Sequence, residues 1–293
     1  MQILNGKEAA QTIKDSLKLE VAQLAAEGKT VPHLVAILVG ADGASETYVA
    51  AKVKACQEVG FKSTFIRFEA NISSVKLMDT IRALNGDPEV DGVLVQLPLP
   101  PHISAEEVIN AIEPAKDVDG FHPNTIGKMV LGQSGFIPAT PYGILLLLQH
   151  YKIQTKGMHA VVIGRSNIVG RPISILLSGS GNPGNCTVTL CHSHTPNVNE
   201  ICKTGDIIIA ALGKAKFVKQ DMVKEGAVII DVGITRMEDK TKKSGYKLIG
   251  DVDFDNVAPK SSFITPVPGG VGPMTIAALM KNTFSASAVK HYE

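Results

Sequence analysis

Tyr48 and Lys52 stand four residues apart in a run, Ser45 to Ala55, that meets no proline or glycine until Gly60. On a helix this spacing puts the phenol and the amine on one face. The ring can stack on a flat, electron-rich substrate while the amine moves a proton. The pair also reads as an exposed lysine beside a half-buried tyrosine, so its meaning depends on what other elements bring to it. Two further polar residues sit where elements end. Gln96 lies near the end of the apolar run 92–97, and Asp119 lies in the turn-rich stretch 117–122. Each has a plain structural reading, Gln96 as a strand-end amide bonded to backbone and Asp119 as a turn former before Gly120.

The elements that must position these groups alternate between helix and strand periodicity. Residues 7–26 carry Ile13, Leu17, Val21 and Leu24 at helical spacing, with Gly28 beyond the end. Residues 34–39 read as a buried strand, followed by a turn at 40–43 and the Tyr48/Lys52 helix. Residues 63–68 read as a second strand, 74–84 as a helix and 92–97 as a third strand closed by Pro98, Pro100 and Pro101. Ser104 and Glu107 fit a capping box, and Thr140 with Pro141 reads as a helix start, Thr as cap. Such alternation implies parallel sheets covered on both faces, with ligands beyond the carboxyl ends of the strands. Tyr48, Lys52, Gln96 and Asp119 all fall on that edge.

A second alternating unit begins at 159–163. The Gly-bounded loop Gly164 to Gly170 follows, then a helix with Pro172 near its start. Backbone amides and the helix dipole at such a turn receive a phosphate. Strands at 187–191, 206–210 and 227–231 complete a Rossmann-type sheet, with the boundary between units near 138–158. In NAD sites an acid usually follows the second strand. Here that strand ends Cys191-His192-Ser193-His194, without an acid. Ser193 and Arg165 suit a 2′-phosphate, so NADP is expected rather than NAD. The cluster Cys186, Cys191, His192, His194 and Cys202 invites zinc, but it lacks the close paired spacing of structural sites, so no metal is expected. No specific role is assigned to His192 or His194. Residues 238–243 read as a solvated loop, and 178–185 as a Gly-rich surface loop.

Length and composition bound the function. A chain of 293 residues with 44% hydrophobic and 19% charged residues can hold two domains. A net charge of +1 gives no general field for nucleic acid or a membrane surface. No run approaches the ~18 unbroken apolar residues of a membrane helix. The start lacks a basic region before an apolar one, and the four cysteines show no paired spacing, so a cytoplasmic protein with reduced thiols is expected.

Five motifs stand in order: Tyr48 to Lys52 (YVAAK), Val95 to Pro100 (VQLPLP), Lys116 to Pro123 (KDVDGFHP), Gly164 to Ser166 (GRS), and Ile264 to Thr275 (ITPVPGGVGPMT). With them the chain resembles, over nearly its whole length, the bifunctional methylenetetrahydrofolate dehydrogenase/methenyltetrahydrofolate cyclohydrolase family. The resemblance implies an α/β fold of two lobes, each a mostly parallel sheet flanked by helices, with a folate cleft between them. Residues 1–140 would form the folate-binding catalytic domain, completed by a C-terminal helix at 274–293. Residues 141–273 would form the Rossmann NADP-binding domain. It implies that Lys52 is the central catalytic residue, that Tyr48 stacks on the folate, that Gln96 positions the amine and that Asp119 hydrogen-bonds the pterin. Leu97, Pro98, Pro268, Gly269 and Gly272 would also meet substrate. Gly164, Arg165, Ser166, Ser193 and Ile234 would line the cofactor site. For Gly269, Gly270 and Gly272 a purely structural role in a tight loop stays open. The resemblance further implies a homodimer acting on tetrahydrofolate derivatives, with oxidation by NADP followed by hydrolysis to 10-formyltetrahydrofolate. Ala139 stands where many relatives carry Cys, so no thiol chemistry is expected there. Competing readings are a monofunctional relative, a different two-lobed dehydrogenase resembling shikimate dehydrogenase, and a non-catalytic NADP sensor.

Overall fold

The computed structural model describes residues 1–242 and 245–292. In chain order the elements are β1 (Gln2–Ile3), α1 (Gly6–Ala26), β2 (His33–Val39), α2 (Gly43–Val59), β3 (Lys62–Phe68), α3 (Ser74–Gly86), β4 (Gly92–Val95), α4 (Ala105–Ala111), α5 (Pro123–Val130) and α6 (Ala139–His150). They continue with β5 (His159–Ile163), α7 (Gly170–Ser178), β6 (Thr187–Cys191), α8 (Val198–Thr204), β7 (Ile207–Ala210), β8 (Val228–Asp231), β9 (Thr235–Glu238), β10 (Tyr246–Ile249), α9 (Phe254–Val257), β11 (Phe263–Ile264) and α10 (Val271–Tyr292). They form two compact units. One joins Met1–Ala10 to Thr140–Thr275, and the other joins Gln11–Ala139 to the chain from Ile276 onward.

The second of these is built on a three-stranded parallel sheet in the order β3-β2-β4. β2 is central and buried along its whole length, which is why its sequence is apolar without alternation. Its two faces nevertheless go to separate cores. Leu34, Ala36 and Leu38 pack with Leu17 and Val21 of α1, Val49, Cys56 and Val59 of α2, and Leu279 and Met280 of α10. Val35, Ile37 and Val39 pack with Leu77 and Ile81 of α3 and Val108 of α4. Each large side chain so buried contributes about 1.5–3 kcal/mol. The C-terminal helix therefore completes the core of this unit.

The other unit holds a six-stranded parallel sheet in the order β1-β11-β8-β7-β5-β6. The chain steps from β5 to β6 on one side and to β7 and β8 on the other. Loops leaving β5 and β7 therefore part at a topological switch point, where ligands bind in open α/β sheets.

Four details differ from expectation. Gln2–Ile3 pairs with Phe263–Ile264, so residues 1–10 belong with the six-stranded unit rather than with the rest of 1–140. Two-residue strands are too short to show a periodicity. α6 starts at Ala139, so Thr140 is a first-turn residue and not the cap. Residues 178–185 are not wholly surface, because Thr155 Oγ1 donates to the Gly184 carbonyl and accepts from the Gly184 amide, each at 2.8 Å, and Pro183 and Gly184 are buried. Residues 235–238 pair antiparallel with 246–249 as a β-hairpin. Lys243, in the expected loop, and Glu293, in the expected helix, lie outside the described residues.

His33 opens β2 and is buried. Its Nδ1 donates to the Glu89 carbonyl at 2.9 Å, and its Nε2 lies 2.9 Å from Thr64 Oγ1, whose hydroxyl can donate to the neutral ring. Burial, then the Lys62 charge, lower it below 6.5, against the Glu89 carbonyl and the charges of Asp91 and Asp87. Its folded value is depressed, so the stability it contributes is present above the ordinary imidazole value and is lost as pH falls through the folded one. We expect the urea midpoint to fall between about pH 7.5 and about pH 5.5, and to fall less in His33→Gln. Equal falls in both proteins would show that His33 is not the group responsible.

Candidate functional site

The buried stripe of α2 contains Ser45, Val49, Lys52, Cys56 and Val59, spaced four, three, four and three. Lys52 thus occupies a core position with an amine. The helix that carries it is fixed at both ends. Asp42 Oδ2 accepts from the Ser45 amide and hydroxyl, both at 2.8 Å, and Gly60 closes the helix at φ +85°. Lys52 is 6% exposed, so its amine must find partners within the fold.

Those partners are Gln96 and Asp119. Lys52 Nζ donates to Gln96 Oε1 at 3.2 Å and lies 3.8 Å from Asp119 Oδ2. The second distance is an ion pair but too long for a hydrogen bond. Gln96 is itself held, since its Nε2 donates to the Leu97 carbonyl at 2.8 Å and its amide to the Ile37 carbonyl at 2.8 Å. The Gln96 carbonyl oxygen is therefore aimed at the amine. Tyr48 lies one turn before Lys52 on the same helix and is half-buried. Leu97 and Pro98 follow Gln96 directly, Pro98 exposed.

The Asp119 loop has its own scaffold, which sequence reasoning missed. Asp117 is 2% exposed and accepts from the His122 amide and Thr125 Oγ1 at 2.8 Å each, and from the Phe121 amide at 3.2 Å. Burial raises its carboxyl above the usual range, the three donors oppose this, and the Asp119 charge adds to it. From α10, Asn282 Nδ2 donates to the carbonyls of Val118 and Ile137, each at 2.8 Å. The Ala139 amide donates to the Asp119 carbonyl at 3.1 Å. The readable signal for Asp117 was a second acid two residues before Asp119, and Asn282 is the one side-chain amide of its helix.

In the six-stranded unit, Gly164 leaves β5 at φ +116°, and a side-chain carbon there would sit 2.1 Å from the Ala211 carbonyl oxygen. At Gly170 such a carbon would sit 1.8 Å from the Gly164 carbonyl oxygen. The turn into α7 is thus tight enough to require glycine at both places. Ser166 Oγ accepts from the amides of Val169 and Gly170 at 3.2 and 3.3 Å, so it shapes that turn. Arg165 and Ser193 are exposed, on the β5 loop and after β6. Ile163 pairs with Cys191 and the Gly164 amide donates to the Cys191 carbonyl at 2.9 Å, so the two loops leave the sheet side by side. Desolvation, then the charges of Arg165 and His194, disfavour the His192 imidazolium. Ile234 is 41% exposed, and its Cδ1 lies 3.8 Å from where a side-chain carbon at Gly272 would stand. Pro268 and Gly269 precede Gly272 in the β11–α10 connection, Pro268 exposed and Gly269 buried. Cys56, Cys186, Cys191 and Cys202 are free, buried thiols. Among the described residues no three His, Cys, Asp or Glu side chains converge as metal ligands.

Two family models match. Residues 4–119 match the tetrahydrofolate dehydrogenase/cyclohydrolase catalytic domain, and residues 138–291 match the NAD(P)-binding domain of the same family. The chain is similar to the bifunctional protein FolD of Porphyromonas gingivalis, 56% identical over 286 residues that span 98% of this chain and 97% of that one. Its fold matches the crystal structure of the bifunctional FolD dehydrogenase/cyclohydrolase of Campylobacter jejuni at TM-score 0.92 and 46% identity, covering 99% of each chain. It also matches the N5,N10-methylenetetrahydrofolate dehydrogenase-cyclohydrolase of Trypanosoma brucei, solved with NADP cofactor and inhibitor, at TM-score 0.94 and 35% identity over 99% of this chain and 98% of that one.

The β5–α7 turn offers a direct check on the local geometry. Gly164→Ala should lower the unfolding free energy by about 1–3 kcal/mol, since it combines a disfavoured φ with a backbone clash. Denaturant melts that superimpose on wild type would contradict the tight turn.

Proposed function

We propose a function from one premise: the chain belongs to the tetrahydrofolate dehydrogenase/cyclohydrolase family. It is an enzyme that oxidises 5,10-methylenetetrahydrofolate to 5,10-methenyltetrahydrofolate with NADP and hydrolyses the product to 10-formyltetrahydrofolate. The observation that carries the residue assignment is the contact of the buried Lys52 amine with Gln96 and Asp119. In this proposal most residues that meet the folate lie in 11–139 and those that meet the nucleotide lie in 140–275.

The residues present fit NADP. The segment after β6 offers Ser193 and no carboxylate, and the neighbouring β5 loop offers the Arg165 guanidinium. That donor set suits a phosphate on the ribose and would not suit a free 2′-hydroxyl as an acid does. The amides at the start of α7 suit the bridging phosphates. Gly164, Arg165, Ser166, Ser193 and Ile234 are the proposed cofactor residues. When bound, the nicotinamide supplies the two-electron acceptor for the methylene carbon.

The chain's own task in the first step is to hold the folate. Tyr48 stacks on it, Asp119 accepts from pterin N–H donors, and Leu97, Pro98, Pro268, Gly269 and Gly272 are the other proposed substrate residues. The folate nitrogens stabilise the cation that forms, so positioning is the main demand. Hydrolysis asks for more. Water adds to the methenyl carbon and loses one proton to give a neutral carbinol. The carbinol hydroxyl then loses its proton to become the formyl oxygen as the bond from that carbon to N5 breaks and N5 takes a proton, so that one proton is released overall. Lys52 is the group placed to move these protons. Gln96 fixes the amine on one side, and Asp119 balances its charge on the other.

A homodimer and a cytoplasmic location belong to the same proposal. The first is supported by the resemblance and by β3, an outer strand of its sheet with Phe65 45% exposed. The second is supported by four free cysteines.

Lys52→Met should lower the hydrolysis rate of methenyltetrahydrofolate by about 10²–10⁴-fold, the usual worth of a positioned acid–base group. Lys52→Arg should not restore full activity, because guanidinium stays protonated. A rate for Lys52→Met that matches wild type would remove Lys52 from the chemistry.

A further inference from the structure

Two carboxyls that these steps do not use lie buried at the carboxyl edge of the six-stranded sheet. Asp231 ends β8 and is 3% exposed, and Asp251, just after β10, is fully buried. Burying carboxyls is costly unless donors replace water. Here the donors are backbone amides of the surrounding loops. Asp231 Oδ1 accepts from Gly233 at 3.0 Å and from Asp251 at 2.9 Å, and its Oδ2 accepts from Val252 at 2.9 Å. Asp251 Oδ2 accepts from Leu212 at 2.8 Å and from Gly213 at 2.9 Å. Two glycines make the approach possible. A side-chain carbon at Gly233 would sit 2.3 Å from Asp251 Oδ1, and one at Gly250 would sit 1.9 Å from Asp231 Oδ2. Burial pushes Asp231 up to about 7, the amides pull against it, and the Asp251 charge pushes further.

The pair ties three segments to one buried point: the loop after β7, the loop after β8 and the chain returning from β10. The first two flank the nicotinamide end of the proposed cofactor site. Ile234 follows Gly233 directly, and Ala211, just before Leu212, lies against Gly164. Resting on the NADP reading above, we propose that Asp231 and Asp251 are positioning residues for the dehydrogenase step. They hold Leu212–Gly213 and Gly233–Ile234 at the spacing that receives the nicotinamide. The adenosine end, at Arg165 and Ser193, does not hang on this pair.

Asp251 is the better residue to change. Its Oδ1 has no hydrogen-bond partner among the described residues, so an asparagine can put its amide nitrogen there and keep its oxygen on the Leu212 and Gly213 amides. Alanine removes the acceptor that holds the Leu212 and Gly213 amides in place. The test is calorimetric titration of the full chain with NADP and, separately, with 2′,5′-ADP, which lacks the nicotinamide half. Hydrolysis of methenyltetrahydrofolate without nucleotide reports whether the fold survives. Asp251→Ala should weaken NADP binding about tenfold or more, leave 2′,5′-ADP within about twofold and keep the nucleotide-free hydrolysis, while Asp251→Asn restores NADP affinity to within about threefold. Unchanged NADP binding in Asp251→Ala, equal weakening of both nucleotides, or no recovery in Asp251→Asn would each overturn the proposal. If Asp251→Ala does not fold, Gly233→Ala carries the same test, since it forces the β8 loop off Asp251. A wild-type chain that binds neither nucleotide would overturn the cofactor reading, and this inference with it.

Discussion

The structure of the three-stranded unit depends on a lysine placed where a hydrophobic residue would ordinarily stand. Lys52 takes one place in the buried stripe of α2, and a buried ammonium must be met by acceptors or it destabilises the fold. Gln96 and Asp119 meet it. Each is held in turn, Gln96 by the backbone at the end of β4 and Asp119 by a loop that hangs on Asp117 and Asn282. The polar contact thus ties β4, the 117–125 loop and, through Asn282, the C-terminal helix to α2. In the proposed function the same arrangement presents an amine with defined neighbours to the one-carbon bridge of the folate.

Both units solve the positioning problem in the same way. A parallel sheet buries its strands on two faces, which leaves the carboxyl edge as the place where side chains and loop amides can converge. In the three-stranded sheet that edge supplies side-chain groups. In the six-stranded sheet it supplies backbone, with Gly164 and Gly170 allowing a turn too close for any side chain. The division matches the two kinds of chemistry proposed. Proton movement needs a titratable group, whereas a nucleotide needs donors, a guanidinium and a shaped loop.

Much of this was legible in the sequence, for physical reasons. The strand–helix alternation of 34–97 and 159–231 follows from apolar runs bounded by glycine and proline, and the observed ends fall within one or two residues of those expected. The four-residue spacing of Tyr48 and Lys52 gave their shared helix face. Partnerships made across long sequence separation were less legible. Nothing local marks Gln2–Ile3 as a partner of Phe263–Ile264, or Asn282 as the anchor of a loop at 118. Asp117 was passed over in favour of Asp119 because sequence alone does not say which acid of an Asp-Val-Asp is buried. Asp231 and Asp251 escaped for the same reason, being twenty residues apart and joined only through backbone amides.

The most direct test of the central claim, that one chain oxidises methylenetetrahydrofolate and then hydrolyses the product, is an absorbance experiment on the wild-type protein. Reduced nicotinamide and methenyltetrahydrofolate are followed together after adding 5,10-methylenetetrahydrofolate and NADP, and methenyltetrahydrofolate decay is then followed alone. Formation of reduced NADP, together with methenyl decay faster than the protein-free rate, is the expected result. Folded protein that gives neither signal, or reduces NADP without accelerating that decay, would contradict the claim.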